Sequence, residues 1–163
     1  MRFHAEHRIN GSKEAVAALL VDSSFYLRLA LPDLSLPEVV EEHSDGNRAS
    51  LRLRYEFVGS LDPIAQRLLG SSRLAWVQEM QVDTSAGTGT LTFEAEKDPR
   101  RLHGTADFVL AEAGGATLRR IDGELVVAVP GIGRMAERRI VPGLLRRMDI
   151  EAEAMDGKLG GGD

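Results

Sequence analysis

The stretch V126-V-A-V-P-G-I-G-R-M-A-E-R-R139 decides how this chain completes its fold. An apolar run passes through a proline into a Gly-x-Gly-x-x-Ala turn (Gly131, Gly133, Ala136), and the pattern that follows is helical. Dinucleotide sites have the same order of elements, because glycines let a pyrophosphate approach the start of a helix. Such a site also needs a second parallel strand after the helix. Residues 137–163 are helical or glycine-rich in pattern, so the sequence predicts a strand that turns a corner into a terminal helix.

This terminal helix has one apolar face. Its apolar residues recur every four positions, at Ala136, Ile140, Leu144, Met148 and Ala152, and this spacing places them on one stripe. Pro142 has no amide hydrogen for the carbonyl of Arg138, so we expect a kink there. The stripe starts with small residues, and a sheet curving around it would leave space near the start of the helix. In the alternative interpretation, aromatic side chains from the sheet fill that space.

Five arginines accompany the stripe: Arg134, Arg138, Arg139, Arg146 and Arg147. We interpret them as a solvated helix face whose charge is offset by neighbouring carboxylates, among them Glu137, Asp149, Glu151 and Glu153. The alternative is a surface that attracts anionic lipid headgroups or a partner protein.

The rest of the chain has the pattern of strands separated by short turns. A strand with period-two alternation begins near Phe3, and two short helices follow it, with Ser12 and Asp22 as their N-caps. Further strands are predicted near 38–44, 50–58, 73–83, 88–97, 101–112 and 116–129. The segment D62-P-I-A-Q-R-L-L-G70 carries helix start and stop signals and predicts an inserted helix. These elements predict an α+β fold in which a seven-stranded antiparallel sheet has its helices on one face.

Composition limits the classes of function. The 163 residues are enough for a single domain with a proper core, predicted over 1–157 with a flexible tail over 158–163. The net charge of −5 disfavours nucleic-acid binding, and the absence of cysteine excludes disulfides and thiolate chemistry. No stretch approaches the roughly 18 apolar residues of a membrane span, and the first residues lack the apolar core of a signal peptide. We expect a soluble cytoplasmic protein.

The element order β-α-α-β-β-β-β-β-β-α resembles the START-like, helix-grip superfamily of polyketide cyclases, plant pathogenesis-related proteins and lipid-transfer domains. The resemblance lies in the strand F3-x-A-x-H-x-I9, in V16-A-A-L-L-V-D22 with S23-S-F-Y26, and in V129-P-G-I-G-R-M-A-E137. The inserted helix is similar to that of an uncharacterised bacterial branch. The resemblance implies a curved sheet wrapped around the C-terminal helix and, between them, a cavity for an apolar molecule. Fold alone does not separate enzymes from carriers in such a superfamily.

The sequence contains no strong catalytic or metal-binding pattern. The four histidines stand at positions 4, 7, 43 and 103, and His4 and His7 point to opposite faces of their strand, so they cannot hold one metal together. His7 shares the apolar face and is interpreted as a hydrogen-bonded structural residue. The candidates for acid–base chemistry are scattered: His7, Tyr55, Asp107 and Asp122. The sequence therefore predicts no catalytic residue, metal or cofactor.

Strand and helix parity instead predict a set of inward-facing residues that bind the ligand. They are Tyr55, Phe57, Trp76, Gln78, Met80, Phe93, Phe108, Leu125, Ala136, Ile140 and Leu144. Tyr55 and Gln78 would supply hydrogen bonds inside an apolar cavity. The alternative is that Tyr55 and Trp76 are core aromatics whose polar ends reach water or backbone.

The inserted helix is predicted to be a movable lid over the cavity. Its apolar face comprises Ile64, Leu68 and Leu69, and it needs a surface to pack against. The alternative is a fixed helix that plugs one end of the sheet.

Three functions follow from these observations. The favoured one is non-catalytic binding or transport of an apolar small molecule or lipid, because no acid–base pair converges on the interior. The alternatives are a polyketide cyclase-like or dehydratase-like enzyme that uses the same cavity, and an interaction module whose cavity is filled by side chains.

Overall fold

The computed structural model describes residues 1–69 and 73–161, with the backbone alone at positions 68 and 69. Strand β1 (Arg2–Asn10) is followed by helices α1 (Lys13–Leu20) and α2 (Ser23–Leu27). Strands β2 (Glu38–Asp45) and β3 (Arg48–Glu56) precede helix α3 (Pro63–Leu69). Strands β4 (Ala75–Asp83), β5 (Thr88–Ala95), β6 (Leu102–Ala113) and β7 (Ala116–Val127) then lead into the long helix α4 (Gly133–Gly160).

The seven strands form one antiparallel sheet in the order β1-β7-β6-β5-β4-β3-β2. Period-two alternation divides its two faces. In β3, for example, Leu51, Leu53 and Tyr55 are buried, whereas Arg52 and Arg54 lie on the other face. Strand β2 is an edge strand with every residue exposed. The inner face of the sheet, α1, α2 and α4 therefore enclose the core.

The helix starts agree with the predicted capping chemistry. The Ser12 hydroxyl accepts a hydrogen bond from the Ala15 amide at the start of α1, and the Asp22 carboxylate accepts one from the Ser24 amide at the start of α2. Asp62 accepts from two amides at the start of α3. These bonds satisfy backbone donors that have no partner within the first turn of a helix.

The corner between β7 and α4 depends on two glycines. Gly131 has a φ of 82°, a left-handed conformation that favours glycine. At Gly133 a Cβ atom would lie 2.1 Å from the Val127 carbonyl oxygen, so the helix start approaches the strand more closely than any side chain permits. Strand β7 turns here into α4, which confirms the corner, and β7 pairs antiparallel with both β1 and β6, so in the described residues it lacks the parallel neighbour of a βαβ dinucleotide site.

Helix α4 lies across the inner face and packs mainly on β1 and β7. Pro142 stands inside it, and the helix continues on both sides. The helix extends to Gly160, so residues 158–160 of the predicted tail are helical, and residues 162–163 lie outside the described residues. Otherwise the predicted element order and the helix-grip α+β fold are confirmed.

Candidate functional site

The predicted ligand-binding residues lie on strands β3 to β7, just after β3 at Phe57, and on helix α4. Seven of them are buried: Tyr55, Gln78, Met80, Phe93, Phe108, Leu125 and Ala136. The remaining four, Phe57, Trp76, Ile140 and Leu144, are half-buried. The predicted set therefore includes both residues of the core and residues that are partly exposed to solvent.

The four half-buried residues lie at one end of the sheet, which we call the mouth. Strand β3 ends there, β4 begins there with Glu56 paired to Ala75, and α4 departs from the same end after β7. Helix α3 connects β3 to β4 at this end, and an ion pair of 2.6 Å joins Asp62 at its start to Arg139 of α4. The mouth is thus a half-buried apolar region beside α3 and the first half of α4.

Farther along α4, the side of the helix that faces the sheet becomes polar. The Arg147 side chain donates from Nε to Glu151 Oε1 at 2.9 Å and from Nη2 to Gln78 Oε1. Its guanidinium carbon lies 4.3 Å from the centroid of the Tyr55 ring, a cation–π contact. Arg147 and Glu151 are only 7% and 4% exposed, so this is a charged pair inside the core.

A second guanidinium group approaches from β7. Arg119 is 2% exposed; its Nη2 donates to the Met148 carbonyl at 3.0 Å and lies 3.2 Å from His7 Nδ1. Burial lowers the pKa of Arg119, and the charge of Glu151 opposes that shift. We call Tyr55, Gln78, Arg119, Arg147 and Glu151 the inner polar cluster.

The Tyr55 hydroxyl is buried and has no hydrogen-bond partner among the described residues. Its ring stacks on Trp76 with centroids 5.8 Å apart. Burial raises the pKa of Tyr55 to about 12, with the Arg147 charge acting in the opposite direction. The hydroxyl is therefore protonated near neutral pH and is free to donate a hydrogen bond to a bound molecule.

His7 connects β1 to α4. Its Nε2 is 2.9 Å from Asp149 Oδ1, and its Nδ1 faces the Arg119 guanidinium. Burial and the charge of Arg119 lower the pKa of His7, while Asp149 raises it. A neutral ring that donates from Nε2 and accepts at Nδ1 satisfies both contacts. This confirms the interpretation of His7 as a hydrogen-bonded structural residue.

The interpretation of Arg147 and Glu151 as solvated charges was wrong, whereas the other four arginines of α4 are exposed as predicted. The physical reason is helix geometry. Arg147 follows Ile140 by seven residues and Glu151 follows Leu144 by seven, which is close to two full turns. Both thus lie on the side of the apolar stripe that faces the sheet. The i,i+4 pairing of opposite charges at these stripe positions was the sequence signal for a buried pair.

The outer face of the sheet carries two open grooves. One, of about 570 Å³, crosses β1, β7 and β6, and Asp107 and Asp122 are among its lining residues. The other, of about 520 Å³, is lined by residues of β5, the β5–β6 turn and β6, including His103. Neither groove lies between the sheet and α4. Asp107 and Asp122 thus face away from the interior, and among the described residues no acid–base pair joins them to Tyr55 or His7.

Residues 1–69 and 73–161 contain neither a cluster of metal ligands nor a membrane-spanning helix. Within these ranges, no three His, Cys, Asp or Glu side chains come together as metal ligands. No helix in the same ranges has the length and apolar character to cross a bilayer.

Helix α3 is present as predicted, but its apolar face is described only in part. Ile64 is half-buried, and the side chains of Leu68 and Leu69 lie outside the described residues. Asp62, just before the helix, has its pKa lowered first by the Ala65 amide and then by Arg139. The ion pair to α4 is the described contact that holds α3 beside the mouth.

Comparison with known proteins identifies a family. A family model described as "Protein of unknown function (DUF2505)" matches residues 4–158. No curated protein sequence matches the chain.

Solved structures share the fold at low sequence identity. A protein from Thermus thermophilus, TTHA0849, is 16% identical, with a TM-score of 0.68 over 98% of this chain and 97% of that one. The ZhuI aromatase/cyclase from Streptomyces sp. R1128 is 13% identical, with a TM-score of 0.63 over 98% and 94%. A START superfamily protein from Mycobacterium smegmatis is 14% identical, with a TM-score of 0.59 over 98% and 97%. These similarities establish a START-like, helix-grip fold.

Proposed function

Because this chain belongs to the DUF2505 family and has a START-like fold, we propose that it binds or transports an apolar small molecule or lipid without catalysis. The ligand would lie between the sheet and α4. A START superfamily protein and an aromatase/cyclase share this architecture. The absence of cysteine from the sequence fits a reducing compartment, so we place the protein in the cytoplasm.

The observation that carries the proposal is the gradient from the mouth to the inner polar cluster. Half-buried Trp76, Ile140 and Leu144 offer apolar contacts at the mouth. Farther in, the Tyr55 hydroxyl is buried without a partner among the described residues. Small-molecule sites combine an apolar lining with a few placed polar groups, and this interior has both.

The placement of titratable groups argues against catalysis. Glu151 is held by Arg147, and His7 is held between Asp149 and Arg119. General acid–base catalysis needs a group that can exchange a proton with a substrate within hydrogen-bond reach. Both of these interior groups already have partners in the protein.

Helix α3 fits the role of a lid in this proposal. It borders the mouth, and its described tether to α4 is the ion pair between Asp62 and Arg139. This ion pair is largely exposed, and exposed ion pairs stabilise a fold very little, so opening the tether costs little. Faster hydrogen exchange of α3 in the empty protein, and slower exchange on binding, would distinguish a lid from a fixed plug.

Titration with the neutral apolar dye Nile red tests the function. We expect saturable binding and a change in the fluorescence of Trp76, the only tryptophan in the sequence. Leu144→Gln should weaken binding, because it places an amide at the mouth. Arg146→Gln is the matched control, since Arg146 is exposed on the same helix, and it should bind as the wild type does.

Native mass spectrometry of the purified protein provides an independent readout. A co-purifying apolar compound would support a carrier. Absence of saturable Nile red binding, together with no co-purifying molecule, would instead favour an interaction module with a filled interior.

A further inference from the structure

The inner polar cluster has unused hydrogen-bond donors. Among the described residues, the buried side-chain nitrogen and oxygen atoms without a partner are Arg52 Nε, Tyr55 Oη and Arg119 Nε. Arg52 lies on the outer face beside Glu79, which leaves two orphan atoms in the interior, and both can donate. Nη1 of Arg147 is a further donor without a hydrogen bond to any residue of the described part, but unlike these two atoms it is not fully buried. Buried donors without acceptors are costly, so an acceptor-rich group would stabilise this site.

The charges of the interior also do not balance. Across the described residues, the buried charged side chains are Arg119, Arg147 and Glu151, two cations and one carboxylate. Glu151 interacts electrostatically with both guanidinium groups. Asp149 also carries a carboxylate, but its side chain is 61% exposed and is paired with His7. A cation away from water is stabilised by an opposite charge more strongly than on the surface, so the cluster favours an anion.

A row of apolar residues runs from the cluster to the mouth. Along α4 it passes Leu144, Ile140 and Ala136, and Trp76 lies on the sheet side. The eleven steps along the helix from Ala136 to Arg147 correspond to about 16 Å. This length suits an extended aliphatic chain or a small fused ring system.

We infer that the ligand is an amphipathic carboxylate. Its head group accepts hydrogen bonds from Arg147 Nη1 and the Tyr55 hydroxyl, while Arg119 contributes the uncompensated charge. Its apolar body lies along Leu144 and Ile140 toward the mouth. This inference rests on the proposed function and specifies the chemical class of the molecule bound.

Competition against Nile red on the wild-type protein tests the inference. The competitors are dodecanoic acid, methyl dodecanoate and dodecanol, which share one apolar chain and differ in the head group. We expect the acid to compete about 10-fold or more better than the ester and the alcohol, as charge-assisted hydrogen bonds imply. Equal competition by all three would overturn the carboxylate inference and leave the binding function intact. Failure of Nile red itself to bind would overturn the binding function.

Two variants locate the head group. Tyr55→Phe removes the orphan hydroxyl with little change of shape and should weaken the acid several-fold and the ester less, because a carboxylate accepts a stronger hydrogen bond than a neutral carbonyl. Arg147→Gln should abolish the preference for the acid. Circular dichroism of each variant checks folding, and the wild-type comparison of acid with ester decides the question even if Arg147→Gln does not fold. A full acid preference in a folded Arg147→Gln protein would contradict the placement of the head group.

Discussion

Replacing Glu151 by glutamine tests whether one carboxylate offsets both buried guanidinium groups. The variant keeps the shape of the side chain and removes its charge, leaving Arg119 and Arg147 without a buried carboxylate in the described part of the chain. Removing one partner of a buried ion pair typically costs about 3–5 kcal/mol. Total stability in small domains is about 5–15 kcal/mol, so we expect a large fall in the midpoint of urea unfolding.

Arg147→Gln provides the comparison that makes this prediction specific. It loses hydrogen bonds to Glu151 and Gln78 but leaves one buried cation, Arg119, opposite one buried carboxylate. The expected cost is about 1.5–3 kcal/mol, the range for hydrogen bonds to charged groups. Glu153→Gln, on the exposed side of the same helix, should change stability by less than about 0.5 kcal/mol. The reasoning is refuted if Arg147→Gln is as destabilising as Glu151→Gln, or if Glu151→Gln costs under about 1 kcal/mol.

Three further predictions concern other parts of the fold. The pKa of His7 is lowered from 6.5, mainly by burial, so the unfolded chain binds this proton at a higher pH than the folded protein does. The free energy of unfolding should therefore fall as pH drops below about 6.5, by at most about 1.4 kcal/mol per pH unit. In urea unfolding between about pH 7.5 and 5.5, His7→Gln should remove this part of the shift in the midpoint. Gly133→Ala should lower the thermal unfolding temperature, because its Cβ would clash with a strand carbonyl. Gly143→Ala is the control: nothing lies within 4 Å of its Cβ, so it should stabilise the protein by about 0.5–1 kcal/mol. Arg139→Gln removes the tether to Asp62 and should speed amide exchange in α3 with little change in global stability; unchanged exchange would argue for a plug.

The fold was predictable because local patterns agreed with the tertiary arrangement. Caps at Ser12, Asp22 and Asp62 each satisfy helix-start amides in the structure. Period-two alternation assigned the inward residues of β3 correctly, because one face of an antiparallel sheet is buried. The glycines that begin at position 160 have the composition of a tail and predict an earlier end for α4, but the helix extends to Gly160.

The inner polar cluster was only partly predictable. Strand parity predicts that Tyr55 and Gln78 face inward, because each lies two residues from another inward-facing residue of its strand. The prediction for Arg147 and Glu151 was wrong because charged residues are rarely buried; their i,i+4 pairing is local, but Gln78, the strand residue that also binds Arg147, is distant in sequence. The contact between Arg147 and Gln78 spans 69 positions, and that of His7 with Asp149 spans 142. Local sequence patterns carry no information on such pairings.

The edge strand β2 has a consequence for how copies of this protein behave toward one another. Its outer backbone groups are a template for another strand, and Val39 and Val40 are exposed on it. Four of its eight residues are acidic: Glu38, Glu41, Glu42 and Asp45. Two copies approaching edge to edge would bring these carboxylates together, and the repulsion between them would oppose pairing. Salt at about 1 M shortens the screening length to about 3 Å, so concentrated salt should weaken this protection and promote self-association through β2.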